Sequence, residues 1–287
     1  MKLIRGNSNE LQVVEIHNTF PALGLSFIRF IPYSIRVRVY LHNFRYIAPC
    51  GVLMDRSGKS CHLCVTNMKA GLSKSLRQGC YRSSRLLTLF IHLKNYYYRA
   101  AGVFQRIDEV VTFSDYHLRA ISPSLRPTCK QIIVSNSVTY LQNVARNSDT
   151  IDGSVVYMGR LSAEKGVVQL MSQWQDHVEL PPLIIYGAGA DQRVVAEIAN
   201  NSSNLKYMGF ADVEEKRKAL SRCVAIIIPS VCAEGYPVSL AEAVSLRIPV
   251  IVNDVEPLAS HCADLKHLKI DVDNLNPVSI IEFLSDA

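Results

Sequence analysis

The chain has 287 residues, 48% of them hydrophobic and 20% charged, with a formal net charge of +6. That composition fits one or two soluble globular domains and excludes a membrane-spanning helix, because no window reaches roughly 18 consecutive apolar residues. The charge is divided unevenly: residues 1–106 hold 16 Lys/Arg against three acids (Glu10, Glu15 and Asp55), and the remainder holds 15 against 22. A basic half can seek an anionic membrane surface or a phosphorylated substrate. A plain solvated basic surface is the other reading. No nucleic-acid motif accompanies the charge, so nucleic acid is not an expected partner. No signal-peptide pattern opens the chain. The expected place is the cytoplasm, peripheral on the inner face of the membrane where the basic half meets lipid. There the eight cysteines should be reduced or metal-bound rather than paired as disulfides.

In chain order, residues 11–16 and 36–41 read as strands. Residues 86–102 read as a helix with apolar positions beside Arg85, Lys94 and Arg99. It suits either a core helix with a solvated face or a basic amphipathic helix at a membrane surface. Residues 110–113 and 131–134 read as two further strands. The polar, aperiodic stretch 141–153 reads as a linker, which gives domains over 1–140 and 154–287. The second half alternates regularly. Strands are expected at 155–158, 183–186, 205–208, 224–228, 250–252 and 267–270. Helices are expected at 167–175, 192–200, 213–221, 238–246, 257–262 and 277–284. This alternation implies an α/β domain with a parallel sheet covered on both faces. Ligands of such a sheet bind outside the carboxyl ends of its strands.

Two stretches of the second half carry chemistry. "YMGRLSAEKG" (157–166) follows a strand and precedes a helix. Gly159 permits a close turn, and Arg160 and Lys165 bring two cations to a helix N-terminus, which suits phosphate. "PSVCAEGYPVSLAEAVSLRIPVIV" (229–252) sets two glutamates among apolar and small residues. Glu234 falls on the loop at the carboxyl edge of the sheet, and Glu242 about one turn into the next helix. A buried carboxylate without partners is costly. Carboxylates suit sugar and ribose hydroxyls, whereas Arg160 and Lys165 suit a diphosphate. The Gly235 and Tyr236 amides, beside Pro237 at the helix start, could also face phosphate.

"GRLSAEKG", followed some seventy residues later by "EGYPVSLAE", resembles the retaining glycosyltransferases of family 4, which have the GT-B fold. The spacing Glu234-x7-Glu242 matches that family's E-x7-E signature. The resemblance implies an α/β, GT-B-like chain of two Rossmann-like domains with parallel sheets. It implies that Arg160 and Lys165 bind the donor diphosphate, Glu242 the ribose and Glu234 the transferred sugar. "YGAGAD" (186–191) resembles the family's next glycine turn, which places Gly187 and Gly189 near the nucleotide. "HNTFPALG", "LHNFRYIAPCG" and "GKSCHLC" resemble bacterial enzymes of surface polysaccharide synthesis, lipopolysaccharide included. His42, after strand 36–41, matches the histidine that faces the donor in the family; His17 lies on a neighbouring strand. The implied reaction is hexosyl transfer, with retention, from a nucleotide-sugar donor to a glycan or polyprenyl-linked acceptor. No cofactor is required for transfer, because Arg160 and Lys165 supply the charge at the leaving diphosphate.

The family begins with a strand, a glycine-rich loop and about two further strand–helix units ahead of the "HN" segment. Here these are expected to be missing over roughly 80–100 residues, leaving the N-terminal domain incomplete. The rival reading is a non-catalytic remnant or partner subunit that binds nucleotide sugar; an epimerase on the same fold is a third. Cys50, Cys61, Cys64 and Cys80 form a separate group. Cys61-x2-Cys64 is a knuckle-like spacing, and four thiolates could close a structural zinc site; a reduced cluster without metal is the alternative. Cys129, Cys223, Cys232 and Cys262 read as scattered core or surface thiols.

Overall fold

The computed structural model describes residues 2–5, 11–20, 24–146, 148–262 and 265–286. The chain divides into two compact units, 1–135 and 136–287.

The first unit contains β1 (Lys2–Arg5), β2 (Leu11–His17), β3 (Arg36–Leu41), α1 (Leu63–Thr66), α2 (Met68–Gln78), α3 (Arg85–Ala100), β4 (Glu109–Thr112), α4 (Asp115–Ile121) and β5 (Lys130–Ile133). The sheet order is β1-β2-β3-β4-β5. β2 to β5 are parallel, and β1 pairs antiparallel with β2, a departure from the expected all-parallel sheet. Sequence reading also passes over β1, α1, α2 and α4. α2 carries local signals that could have found it: the Asn67 side chain accepts from the Ala70 amide, and Gly79 closes the helix in the left-handed conformation.

Charged residues in this sheet face one another across strands. Arg38 stands directly opposite Glu15 on β2 and Glu109 on β4. Its guanidinium reaches Glu15 Oε1 at 2.7 Å and Glu109 Oε2 at 2.5 Å. Both carboxylates are buried, so this ladder is what lets charged residues sit in covered strands. Arg106 is also buried: it donates to Asp108 Oδ2 and to the Pro32 and Ile35 carbonyls, each at 2.8 Å. Asp108 in turn accepts from the Val37 amide at 2.7 Å. One guanidinium thus ties the approach to β3 to the approach to β4.

The second unit contains β6 (Val155–Met158), α5 (Val167–Trp174), β7 (Leu183–Tyr186), α6 (Gln192–Asn200), β8 (Leu205–Gly209), α7 (Val213–Arg222), β9 (Ala225–Ile228), α8 (Val238–Leu246), β10 (Val250–Asn253), β11 (His267–Ile270) and α9 (Pro277–Ser285). All six strands are parallel, in the order β8-β7-β6-β9-β10-β11. The central strands β6, β9 and β10 are buried at every position, while the edge strand β8 alternates. That contrast is why the inner strands read as unbroken apolar runs. The expected helix at 257–262 is instead a 3₁₀ turn over Ala259–Cys262.

The expected linker 141–153 is not a free connection. Leu141 is 2% exposed and belongs to one core cluster with Val156, Ile226, Leu240 and Val250. The second unit therefore takes in the chain from Asn136 onward, well ahead of residue 154. The sequence hides this because a strap held by a few scattered contacts has no periodicity.

His117, on α4, is 2% exposed and stacks on Phe44 at 4.2 Å. Burial, aided by nearby His42, holds its imidazole down at about 3 against an ordinary 6.5. The folded unit therefore excludes a proton that the unfolded chain binds below pH 6.5. Stability is then lost as pH falls from there towards about 3, by at most about 1.4 kcal/mol per pH unit. The thermal midpoint of the first unit should fall between about pH 7 and pH 5, and less steeply in His117→Phe. Equal slopes in the two proteins would show that His117 does not carry the effect.

Candidate functional site

In the second unit the strand order reverses between β6 and β9. Chain leaving β6 continues to one side of the sheet, and chain leaving β9 to the other, so a crevice opens between their carboxyl ends. The loops 159–166 and 229–237 border it. Lys165 lies in a 3₁₀ turn directly before Gly166, and Glu234 lies in the loop after β9. Lys165 Nζ meets Glu234 Oε2 at 2.6 Å, and the Ser230 hydroxyl donates to Glu234 Oε1. The two side chains are 22% and 12% exposed, partly dry and still open to a ligand. Cys232 beside them is pushed up to about 12, first by burial and then by the Glu234 charge, and stays a neutral thiol.

Arg160 is not at a helix N-terminus as expected, because α5 begins only at Val167. Its guanidinium is 64% exposed and pairs with Glu164 at 2.5 Å. The Arg160 carbonyl accepts from the Tyr157 hydroxyl at 2.8 Å, which fixes the backbone beneath it.

Glu242, on α8, is 1% exposed. Its Oε1 accepts from the Tyr140 hydroxyl and meets Lys216 Nζ, on α7, at 3.2 Å. Neither partner was legible in the sequence, since they stand 102 and 26 positions away. Tyr140 comes from the strap, which is held by two further bonds. Arg217 Nε donates to the Tyr140 carbonyl at 2.7 Å, and Asn136 Nδ2 to the Tyr236 carbonyl at 2.5 Å. Gly235 and Tyr236 form the bend before α8, with Pro237 as its N-cap.

The loops after β6, β7 and β9 touch backbone to backbone. A Cβ at Gly187 would run into the Gly159 carbonyl, one at Gly189 into the Leu161 carbonyl, and one at Gly166 into the Pro229 carbonyl. Hydrogen bonds knit the same loops: Leu161 N to Ala188 O at 3.0 Å and Val231 N to Glu164 O at 3.1 Å. Gly166, Gly187 and Gly189 thus serve loop contact as directly as they could serve a ligand, whereas a Cβ at Gly159 would meet the Tyr157 side chain.

In the first unit His42 stands at the carboxyl end of β3, exposed, its Nε2 3.1 Å from His17 Nδ1. Partial burial and the His17 charge both lower its pKa. Cys50, Cys61, Cys64 and Cys80 line one cavity with Met54, Lys74 and Ser75, so their convergence is real. As placed, however, no three metal-ligating groups among the described residues stand where they could hold a metal ion. Burial, then the neighbouring thiols, push Cys64 up to about 12 and Cys80 to about 11. In the absence of a bound cation these groups are neutral thiols, with Lys74 lining the same cavity. The chain's one Asp-x-Asp, Asp271 and Asp273, lies after the edge strand β11, where Asp271 Oδ1 accepts from the Asp273 amide at 3.0 Å.

Two Rossmann-like units, the second with the reversal flanked by Lys165 and Glu234, make this a chain of the GT-B fold. Solved structures agree. Sucrose-phosphate synthase from Thermosynechococcus elongatus aligns with a TM-score of 0.59 at 16% identity, over 90% of this chain and 61% of that one. HepE from Anabaena, in complex with UDP, aligns with a TM-score of 0.56 at 12% identity, over 88% and 62%. Residues 152–276, most of the second unit, match the family model of "Glycosyl transferases group 1". A protein described as a teichuronic acid biosynthesis glycosyltransferase, TuaC of Bacillus subtilis (strain 168), is 29% identical over 115 residues, which are 40% of this chain and 28% of that one. The chain therefore spans less than two thirds of the length of each of these relatives.

Two outcomes are expected. Gly189→Ala should destabilise the second unit by about 1–3 kcal/mol, the usual cost of overpacking, read by urea unfolding; an unchanged midpoint would mean that the loops can part freely. At about pH 8, brief alkylation followed by mass spectrometry should label Cys64 and Cys80 roughly a hundredfold more slowly than free cysteine. Labelling at the free rate would place them outside the half-buried cluster.

Proposed function

We propose that this chain is a glycosyltransferase of the GT-B type that takes a sugar from a nucleoside-diphosphate donor held in the second unit. The observation that carries this reading is the Lys165–Glu234 pair at 2.6 Å, set at the strand-order reversal. A cation and a carboxylate side by side suit the two ends of one ligand. The diphosphate takes Lys165 and the exposed Arg160, and the sugar hydroxyls take Glu234. Glu242, buried and oriented by Tyr140 and Lys216, suits the ribose hydroxyls. UDP bound to a protein of the same fold supports a nucleotide as part of the donor.

In the reaction the bond between the sugar's anomeric carbon and the diphosphate oxygen breaks. An acceptor hydroxyl forms the new bond on the same face, which retains the configuration, and its proton leaves with the departing phosphate. Lys165 and Arg160 balance the charge that grows on that oxygen, the part of the barrier that fixed cations lower most. The description of the similar protein as a teichuronic acid biosynthesis glycosyltransferase supports transfer in surface-polysaccharide synthesis; on this reading the group moved is a hexosyl unit and the acceptor a glycan or polyprenyl-linked chain at the inner face of the membrane.

Calorimetric titration with UDP, GDP and their sugars tests the donor site. Lys165→Met and Glu242→Gln should each weaken binding by about 10- to 100-fold, the worth of one charge-assisted hydrogen bond. Absence of binding by the folded wild type, or equal binding by both variants, would refute the donor site. Donor binding with no sugar transfer to any lipid-linked acceptor would leave a nucleotide-sugar-binding protein in place of a transferase.

A further inference from the structure

α3 is built inside out. The residues it buries are Thr88, Ile91, Asn95 and Tyr98, three of them with a hydroxyl or amide group. Its outward positions are Leu86, Leu89, Phe90, Leu93, Tyr96 and Tyr97, between 40% and 80% exposed. Their spacing of three and four residues puts them in one stripe along a helix about 24 Å long. The stripe continues across a groove onto α2, where Met68 and Leu72 are exposed. From a distant part of the chain, Arg29 donates to the Tyr97 hydroxyl at 3.3 Å, and Phe30 and Tyr33 of the same segment are 87% and 86% exposed. Single exposed apolar residues are ordinary; a contiguous face of this kind marks a contact surface.

The charge around it is mostly positive, with Lys74 of α2 paired to Asp55 at 2.8 Å. From Arg56 to Ile107 the chain carries ten Lys/Arg and no Asp or Glu. Arg85 opens α3, and its Nε donates to the Arg77 carbonyl at 3.2 Å, which brings Arg77 and Arg85 to the same end of the stripe. Arg99 lines the groove with Leu89, Leu93 and Tyr96. A second copy of the chain would bring the same cations against these, and like charges repel. An anionic bilayer offers both complements at once, acyl chains for the stripe and headgroup charge for the rim.

We propose that the outward face of α3, extended over α2, is the surface by which the first unit lies on an anionic membrane. The helix lies flat in the interface with Leu86, Phe90, Leu93 and Tyr97 inserted and the arginines among the headgroups. This does not depend on the donor reading, because vesicle binding is measured without nucleotide.

The experiment is co-sedimentation of the whole chain with phosphatidylcholine vesicles, with and without about 30% phosphatidylserine, at about 0.1 M salt. The wild type should bind the anionic vesicles at least about tenfold more tightly than the neutral ones. The Phe90→Ser/Leu93→Ser variant, altered only at exposed positions, should lose binding to both while keeping its circular dichroism and thermal midpoint. Arg77→Gln/Arg85→Gln should weaken anionic binding by about 25-fold, at roughly fivefold per cation, and leave neutral binding unchanged. A folded wild type that ignores anionic vesicles, or serine and glutamine variants that bind as it does, would overturn the proposal. So would a dimer, seen by light scattering, that the serine variant dissociates, because the face would then belong to a second copy.

Discussion

The reversal of strand order between β6 and β9 is the constraint on which the second unit turns. Parallel strands joined by helices leave backbone carbonyls and amides pointing out of the carboxyl edge, and only where neighbouring loops diverge is there room for a ligand. Everything notable in this unit crowds that point. Lys165 and Glu234 come from the two diverging loops, 69 positions apart, and meet only because β6 and β9 are neighbours. Glu242 follows one turn into the helix that the second loop begins. Fixing the sheet thus fixes the chemistry, with no residue placed by local preference alone.

Charge in a covered position needs a partner, and both units answer this in the same way. Glu15 and Glu109 share Arg38; Asp108 is held by Arg106 and Arg126. Glu242 has Lys216 and Tyr140. The first unit's cations each bridge several groups of the fold: Arg38 joins two carboxylates, and Arg106 joins Asp108 to backbone carbonyls. At the reversal Lys165 pairs with Glu234 and Arg160 with Glu164, so a ligand that replaces the partner leaves the sheet intact. Exposure alone does not separate the two kinds of pair, since Arg38 is 27% exposed and Lys165 22%.

How much of this could be read from the residues follows from where the information lies. The central strands of the second unit were legible because covered strands are short apolar runs, such as Val155–Met158 and Ala225–Ile228, and the edge strands because they alternate regularly with helices. The short helices α1 and α2 were not, because Cys, Lys and Ser weaken any periodicity there. Lys165, Glu234 and Glu242 were recognisable by spacing, whereas Tyr140, Lys216 and Ser230 were not, since nothing local marks a residue whose role is to orient another. Of the strap from Asn136, residues 136–140 read as the end of the first domain and 141–153 as a linker, for the same reason. α3 was legible as a helix, but which side it turns outward depends on what the rest of the unit leaves uncovered, and periodicity alone is silent on that.

The glycines at 166, 187 and 189 have a consequence for how such a site can change over generations. Because the loops after β6, β7 and β9 meet with no side chain between them, a residue inserted in one would displace the carbonyl on which the next rests. The three loops are therefore inherited as one piece. New ligand preferences must arise from side chains at the rim, at positions such as Arg160 and Tyr236, while the floor stays the same. A binding floor that tolerates no lengthening keeps its geometry while the surface around it drifts.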